Sequence, residues 1–191
     1  MLRSLVLANR SYRAFSPADP VTRDDLLHFV DLARLTASSA NRQPLKYALI
    51  SEPDRVAGLL ALTKWAAALP DLHLPPEGKG PTAFIVICHD HSICDSATPY
   101  LKDVGIAAQT MLLAAAEKGF GGCMIGNFSP AKVAEYLSLP AHIVPQLVVA
   151  FGKPAEDVRL VELPEGGATA YYRDEQNVHF VPKRKLEDLL L

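Results

Sequence analysis

Residues 83–88 read Ala-Phe-Ile-Val-Ile-Cys, an unbroken apolar run rich in strand-forming residues. A run of this length with no polar position is typical of a strand buried on both faces. A second run, Val144 to Phe151, precedes Gly152 and Pro154, and a shorter one spans Tyr47 to Ile50. These runs predict the buried strands at the centre of the molecule.

Helical segments alternate with the predicted strands. Apolar spacing and capping residues predict helices from Thr22 to near Ala37 and from Pro53 to Trp65. An Ala/Leu/Met-rich stretch predicts a central helix from Pro99 to Lys118, and Ser129 with Pro130 begins another. Prolines and glycines between 70 and 81 break regular structure there, so we expect a surface excursion.

Length and composition favour one compact unit. The chain has 191 residues, of which 49% are hydrophobic, and this suffices for the core of a single domain. Its 19 basic and 21 acidic residues form no basic stripe, so nucleic acid is not an expected partner. No apolar run reaches the ~20 residues that span a bilayer, and no signal sequence is evident. We expect a cytoplasmic protein without a membrane partner.

Three cysteines, an odd number, fit neither a disulfide framework nor paired zinc knuckles, and they favour a reducing compartment. The stretch Cys88-His89-Asp90-His91 with Cys94 contains metal-ligand residue types. Its spacing does not match a metal motif, and a strand followed by a polar turn accounts for the same residues. We therefore expect no metal.

Two arginines and a hydroxyl lie within four residues in Arg10-Ser11-Tyr12-Arg13, at the end of a predicted N-terminal helix. Planar guanidinium groups donate paired hydrogen bonds, which suits a phosphate or a delocalised anion. Two solvated arginines on a surface turn would give the same tetrapeptide, so both interpretations stay open at this stage.

The loop Ser38-Ser39-Ala40-Asn41-Arg42-Gln43-Pro44 is dense in hydroxyl and amide groups. Amides both donate and accept hydrogen bonds, so Asn41 and Gln43 could match a ligand edge of alternating carbonyl and N–H groups. The alternative is a helix cap followed by an ordinary turn, which explains the serines but gives Asn41 and Gln43 no role.

The order of these motifs resembles the FMN-dependent nitroreductase family. R-S-x-R is followed by a helix, then S-x-x-N-R-Q-P, then Gly121-Gly122-Cys123-Met124-Ile125-Gly126 after an Ala-rich helix. The tail from Arg173 to Arg184 also resembles the C-terminal arm of such proteins. The resemblance implies an α+β fold with a central mixed or antiparallel sheet flanked by helices. It further implies a single domain over residues 1–191, an intertwined homodimer, and an arm, about 161–191, that packs on the partner subunit.

The resemblance also implies the cofactor, FMN, and its ligands. Arg10 and Ser11, with Lys183 or Arg184, would hold the phosphate, and Arg13 would stabilise the reduced flavin. Ser38, Asn41 and Gln43 would meet the ribityl chain and the pyrimidine edge, and the segment from Gly122 to Gly126 would offer backbone N–H groups. The implied cofactor-binding residues are Arg10, Ser11, Arg13, Ser38, Asn41, Gln43, Gly122, Met124, Ile125, Gly126, Lys183 and Arg184.

The activity that the resemblance implies is electron transfer from NADH or NADPH to a nitroaromatic, a quinone or a related small acceptor by a ping-pong mechanism. No side chain is implied as a nucleophile or catalytic acid, because the chemistry belongs to the flavin.

The sequence departs from the family pattern at two positions. Asn9 occupies a place where members often have arginine, and Leu45 occupies a place where an aromatic residue is common. The alternatives are a flavin carrier or sensor without turnover, and a reaction on the flavin or on a halogenated or unsaturated substrate.

Overall fold

The computed structural model describes residues 1–66 and 72–191. The helices and strands alternate along the chain, as the sequence predicts. The helices are α1 (Leu2–Ala8), α2 (Arg23–Ala33), α3 (Pro53–Ala61), α4 (Leu101–Glu117) and α5 (Pro130–Tyr136). The strands are β1 (Phe15–Ser16), β2 (Leu45–Ile50), β3 (Ala83–Asp90), β4 (Gly121–Ile125), β5 (Ile143–Pro154), β6 (Val158–Glu162), β7 (Tyr172–Arg173) and β8 (His179–Lys183).

The main sheet has five strands and is antiparallel throughout its named pairs. β3 pairs with β2 on one side and with β5 on the other. β5 also pairs with β4 and, at its C-terminal end, with β1. A second sheet of three strands has β8 at its centre, parallel to β6 and antiparallel to β7. The α+β architecture expected from the sequence is confirmed.

All eight residues of β3 are buried, which explains the unbroken apolar run. Ala83, Ile85 and Ile87 pack with α2 and α4 on one face of the sheet. Phe84, Val86 and Cys88 pack with α3 and α5 on the other. Because successive side chains of a strand point to opposite faces, one strand supplies both layers of the core.

Helix α2 starts where the sequence predicts but ends early. The Thr22 and Asp25 side chains form a reciprocal capping box at its beginning. The predicted end near Ala37 is wrong, because the helix stops at Ala33, where the Thr36 hydroxyl donates to the Ala33 carbonyl at 2.6 Å. A hydroxyl takes the place of the next helical N–H group at this carbonyl.

Helix α3 is also shorter than predicted, ending at Ala61 rather than at Trp65. The Thr63 hydroxyl donates to the Leu60 carbonyl at 2.8 Å, and the Lys64 N–H donates to the Asn127 carbonyl at 2.9 Å. Pairing with residues 127–128 therefore replaces the next helical turn. Pro70, at the predicted start of the excursion, lies outside the described residues.

The tail predicted as an arm folds largely into the second sheet, with β7 and β8 lying beyond residue 161. In the described part of the chain, no helix is long and apolar enough to cross a membrane.

Candidate functional site

A cleft of about 340 Å³ lies where the N-terminal segment, β4, α4 and the tail meet. This cleft is lined by four residues that were predicted to bind the phosphate or to lie near the flavin: Arg10, Ser11, Arg13 and Lys183. These four come from opposite ends of the chain, and Met124 lines the cleft as well. The remaining lining residues are Asn9, Gln109, Leu112, Tyr171, His179 and Val181.

The N-terminal segment enters the cleft in extended form after α1. Asn9 ends the helix with φ −75° and ψ 99°, and the Tyr12 N–H then donates to the Gly122 carbonyl at 3.0 Å. This bond attaches the segment to the free edge of β4. Alternate residues of a strand turn their backbone groups to the same side, so the backbone groups of Met124 also face this edge.

Arg10 is held by one hydrogen bond, from Nη2 to the Val6 carbonyl at 2.6 Å. Its Nε is buried and has no hydrogen-bond partner among the described residues. Burial lowers the pKa of Arg10, but an arginine guanidinium ionises so far above neutrality that the side chain stays cationic. The guanidinium thus retains an unused donor in the wall of the cleft.

A buried carboxylate, Glu156, joins the N-terminal segment to the tail. It accepts hydrogen bonds from the backbone N–H groups of Arg13 and of Ala14, the latter at 3.2 Å. Its other oxygen pairs with Arg173 Nη2, and the two side chains are only 4% and 7% exposed. One carboxylate therefore positions both walls of the cleft.

Arg13 lies with its guanidinium 5.0 Å from the centre of the Tyr171 ring. This contact separates the cleft from an adjoining cavity of about 160 Å³, and Arg13, Met124 and Tyr171 line both spaces. The adjoining cavity is also lined by Lys64, Trp65, Ala66, Cys123, Ile125, Gly126 and Asn127. The predicted residues Ile125 and Gly126 thus lie beside the cleft rather than in it.

Gly122 in β4 and Gly126 just after it were both predicted to contact the cofactor, but their surroundings differ. A Cβ on Gly122 would come within 2.2 Å of the Ala150 carbonyl oxygen, whereas a Cβ on Gly126 would meet nothing within 4 Å. The close approach expected at Gly122 is therefore to β5 of the same chain.

The loop from Ser38 to Gln43 lies apart from the cleft in the single chain. Ser38 and Gln43 line a separate pocket of about 140 Å³, beside Tyr47 and Asp103. Gln43 Nε2 donates to Asn41 Oδ1 at 3.0 Å, so the two predicted amides contact each other. Their backbones have positive φ, 52° at Asn41 and 51° at Gln43, a region that non-glycine residues seldom adopt.

Asp103 holds this loop in its conformation. Its carboxylate accepts from the Ser38 hydroxyl at 2.7 Å, from the Ser39 hydroxyl at 2.8 Å and from the Ser39 N–H. Burial opposes ionisation, but these hydrogen bonds outweigh it and lower the pKa of Asp103. From the sequence, Asp103 reads only as a first-turn acid of α4, and its contacts with the loop were not predicted.

Arg184, the other phosphate ligand expected from the tail, does not line the cleft. It lies with Lys185, Glu187 and the loop around Gly166 at another surface of the tail. Side chains of a strand alternate between faces, so of the two basic neighbours only Lys183 faces the cleft with Val181 and His179.

Sequence reasoning missed three residues that shape the cleft: Glu156, Tyr171 and His179. Glu156 and Tyr171 belong to no motif, and their roles depend on contacts across the fold. The sequence does contain a signal for His179. Residues 179, 181 and 183 of a strand share one face, so His179 is expected on the same face as Lys183.

The charge of the cleft suits an anion. Arg10, Arg13 and Lys183 line it, and none of the ion pairs of the described residues involves them. Their charges and hydrogen-bond donors are thus available to a ligand, and charge-assisted donors are what a phosphate group needs.

Comparisons with known proteins bear on this geometry. The model of the Nitroreductase family matches residues 6–87 and 95–153. A nitroreductase family protein from Streptococcus pneumoniae TIGR4 has a similar structure, with a TM-score of 0.70 and 18% identity over 83% of this chain and 93% of that one. The NADPH:FMN oxidoreductase from Vibrio harveyi, determined with NAD⁺, has a TM-score of 0.63 and 25% identity, covering 81% of this chain and 69% of its own.

A relative from Methanothermobacter thermautotrophicus, provisionally named as an NADH dehydrogenase/NAD(P)H nitroreductase, is 24% identical over 156 residues. The match covers 80% of this chain and 76% of the relative. The resemblance read from the motifs is confirmed, and the fold is that of these solved structures.

The Glu156–Arg173 pair provides a test of how the cleft is held. Arg173→Ala would leave a buried, unpaired carboxylate, so we expect the free energy of unfolding to fall by about 3–5 kcal/mol. Arg159→Ala is the control, because its pair with Asp157 is exposed to solvent and its removal should leave the free energy of unfolding almost unchanged. Urea unfolding of both variants measures the difference; equal, small losses would contradict the assignment.

The Asp103 carboxylate provides a test of the loop. Asp103→Asn should lower the free energy of unfolding by about 2–3 kcal/mol at pH 7, because charged hydrogen bonds to the serines are lost. The folded pKa lies below the unfolded value of about 3.9, so this stabilisation is present above that pH and is lost as the pH falls further. Urea unfolding at pH 7 and pH 3 should show the gap from wild type narrowing in acid.

The control for Asp103→Asn is Asp31→Asn, which removes an exposed surface pair with Arg34 and should change stability by less than about 1 kcal/mol. A gap that is constant with pH would show that the pKa of Asp103 does not differ between the folded and the unfolded protein, and would contradict the assignment.

Proposed function

The chain belongs to the nitroreductase family, and from this membership and the cationic cleft we propose an FMN-dependent oxidoreductase that uses NADH or NADPH. The observation that carries the proposal is the convergence of Arg10, Arg13 and Lys183 on one cleft, with no ion-pair partner among the described residues. The name of the Vibrio harveyi neighbour, an NADPH:FMN oxidoreductase, supports the same class of reaction.

The residues of the cleft fit the phosphate end of FMN. Arg10 has a buried Nε without a partner, Ser11 has an exposed hydroxyl, and Lys183 is an exposed cation on the opposite wall. A phosphate dianion accepts several charge-assisted hydrogen bonds, and these three groups would donate them. Of the two basic residues expected from the tail, we assign this role to Lys183, since Arg184 lies elsewhere.

Arg13 would lie at the ring end of the flavin. Its backbone is fixed by Glu156 and its side chain by the Tyr171 ring, so its charge has a defined place beyond the phosphate residues. A fixed cation beside the pyrimidine edge favours the negatively charged, reduced form of a flavin. Met124 would form part of the wall between this end of the cleft and the adjoining cavity.

The Ser38–Gln43 loop would reach the flavin from a second copy of the chain. Within one chain this loop lies at a pocket of its own, with Asp103 holding the loop rigidly. In addition, helix α1 buries none of its residues, and Leu2 and Leu7 are exposed. Exposed apolar side chains on a helix with no fully buried residue are expected at an interface, so we propose a homodimer with the site between subunits.

When held by Arg10, Ser11, Arg13 and Lys183, FMN would supply the redox chemistry between the nicotinamide and the acceptor, in two separate half-reactions. The protein holds the cofactor and offers space beside it. The adjoining cavity, with Trp65 as an aromatic wall and Lys64 at its rim, would admit a planar acceptor such as a nitroaromatic or a quinone. Backbone groups at Ile125 and Gly126 border the same space.

A visible spectrum and an anaerobic titration test the proposal. We expect the purified protein to be yellow, to release FMN on denaturation, and to bleach when NADH or NADPH is added without oxygen. Protein that holds FMN but is not reduced by either nicotinamide would instead be a flavin carrier or sensor. Protein that cannot be loaded with FMN would overturn the cofactor assignment.

The two arginines of the N-terminal segment should separate binding from reduction. Arg10→Ala removes a phosphate donor, so we expect the Kd for FMN to rise about 10- to 100-fold. Arg13→Ala should slow reduction by nicotinamide at least about tenfold, with a smaller change in Kd, because it removes the charge at the ring. Fluorescence titration and stopped-flow absorbance measure the two quantities.

The control is Arg23→Ala, which changes an exposed arginine at the beginning of α2 and should alter neither quantity. Equal effects of the Arg10 and Arg13 variants on binding and on reduction would contradict the division of roles.

A further inference from the structure

His179 is a buried polar side chain that the contacts within the fold leave unused. The residue is 1% exposed, and neither ring nitrogen has a hydrogen-bond partner among the described residues. A buried polar atom without a partner costs free energy, so such an atom in a native fold calls for an explanation. The ring lies in the wall of the cationic cleft.

The surroundings of His179 keep the imidazole neutral. Burial, together with the positive charges of Arg13 and Arg173, lowers the pKa of His179 to about 4, and the nearby Glu156 carboxylate opposes this only in part. The Tyr171 ring packs edge-on against it, with the ring centres 5.2 Å apart. At neutral pH the ring therefore presents one N–H donor and one nitrogen acceptor.

The position of His179 along β8 indicates which part of a ligand it faces. It shares a strand face with Lys183, four residues away, so at about 3.3 Å per residue their Cα atoms lie about 13 Å apart. That separation is comparable to the reach from the phosphate of an extended FMN to its ring. With Lys183 at the phosphate, His179 lies at the ring end beside Arg13.

We infer that His179 is a further flavin-contacting residue, whose neutral imidazole hydrogen-bonds the pyrimidine edge of the isoalloxazine ring next to Arg13. The inference rests on the proposed function, because it takes the cleft to be the flavin site. The pyrimidine edge carries two carbonyl acceptors and an N–H donor, so either imidazole nitrogen has a match there. Binding would thus satisfy a polar group that folding alone leaves unpaired.

The experiment compares FMN with riboflavin, which has the ring but no phosphate. Apoprotein is titrated with each flavin, and fluorescence quenching gives the two Kd values. For His179→Ala we expect Kd to rise by the same factor, about tenfold, for both flavins. For Lys183→Ala we expect the Kd for FMN alone to rise. An effect of His179→Ala on FMN alone, or on neither flavin, would overturn the inference.

A second variant separates contact with the ligand from support of the fold. His179→Phe fills the same space without polar atoms, so the stability of the apoprotein should be equal to or higher than that of wild type. Its Kd for both flavins should nevertheless rise as in His179→Ala, while His179→Gln, which keeps a donor and an acceptor, should recover part of the affinity. A His179→Phe protein that binds both flavins like wild type would show that His179 is a core residue only.

Titration of wild-type apoprotein with FMN distinguishes a failure of the proposed function from a failure of the role assigned to His179. Failure of wild-type apoprotein to bind FMN would contradict the proposed function itself. Normal wild-type binding with unaffected His179 variants would contradict the role of His179 alone. The exposed His28→Ala is the matched histidine control and should leave both Kd values unchanged.

Discussion

The Glu156 carboxylate is the interaction on which the rest of the candidate site depends. It is almost fully buried, and its oxygens are occupied by two backbone N–H groups of residues 13 and 14 and by the Arg173 guanidinium. A buried carboxylate is stable only when such partners are all in place, so the N-terminal segment and the tail take their positions together. Arg10 and Lys183, 173 positions apart in the chain, face one cleft as a result.

The main sheet positions the strands that border the cleft. β3 supplies both layers of the core, and β5 pairs with both β4 and β1, which border the N-terminal segment. On another part of the surface Asp103 holds the Ser38–Gln43 loop through its serines. Within one chain the predicted site residues line two separate cavities, and this separation is the physical basis of the proposed dimer.

The sequence predicted those features that depend on local pattern. The run at residues 83–88 is a buried strand, and the Thr22 cap begins α2. That Arg10, Ser11, Arg13 and Lys183 would lie together was implied by the family resemblance rather than by local pattern, and they line one cleft. Prediction from the sequence failed where a distant contact decides the outcome. Thr36 ends α2 early with a hydroxyl bond, and pairing with residues 127–128 ends α3. Glu156 and Tyr171 act through tertiary contacts that no spacing reveals, whereas the alternation of β8 places His179 on the same face as Lys183.

The two basic residues of the tail also show where prediction from the sequence ends. Lys183 and Arg184 are chemically equivalent in the sequence, and only the alternation of β8 separates the residue that faces the cleft from the one that does not. The packing of residues 161–191 on a partner subunit stays a prediction, because the contacts described here lie within one chain.

A crystal structure of the protein with FMN tests the central claim most directly, because it locates both ends of the cofactor and the chains that contact it. The account predicts the phosphate against Arg10, Ser11 and Lys183 of one chain, with the Ser38–Gln43 loop of a second chain against the same flavin. A phosphate bound away from the cleft, or a flavin held by a single chain, would contradict it.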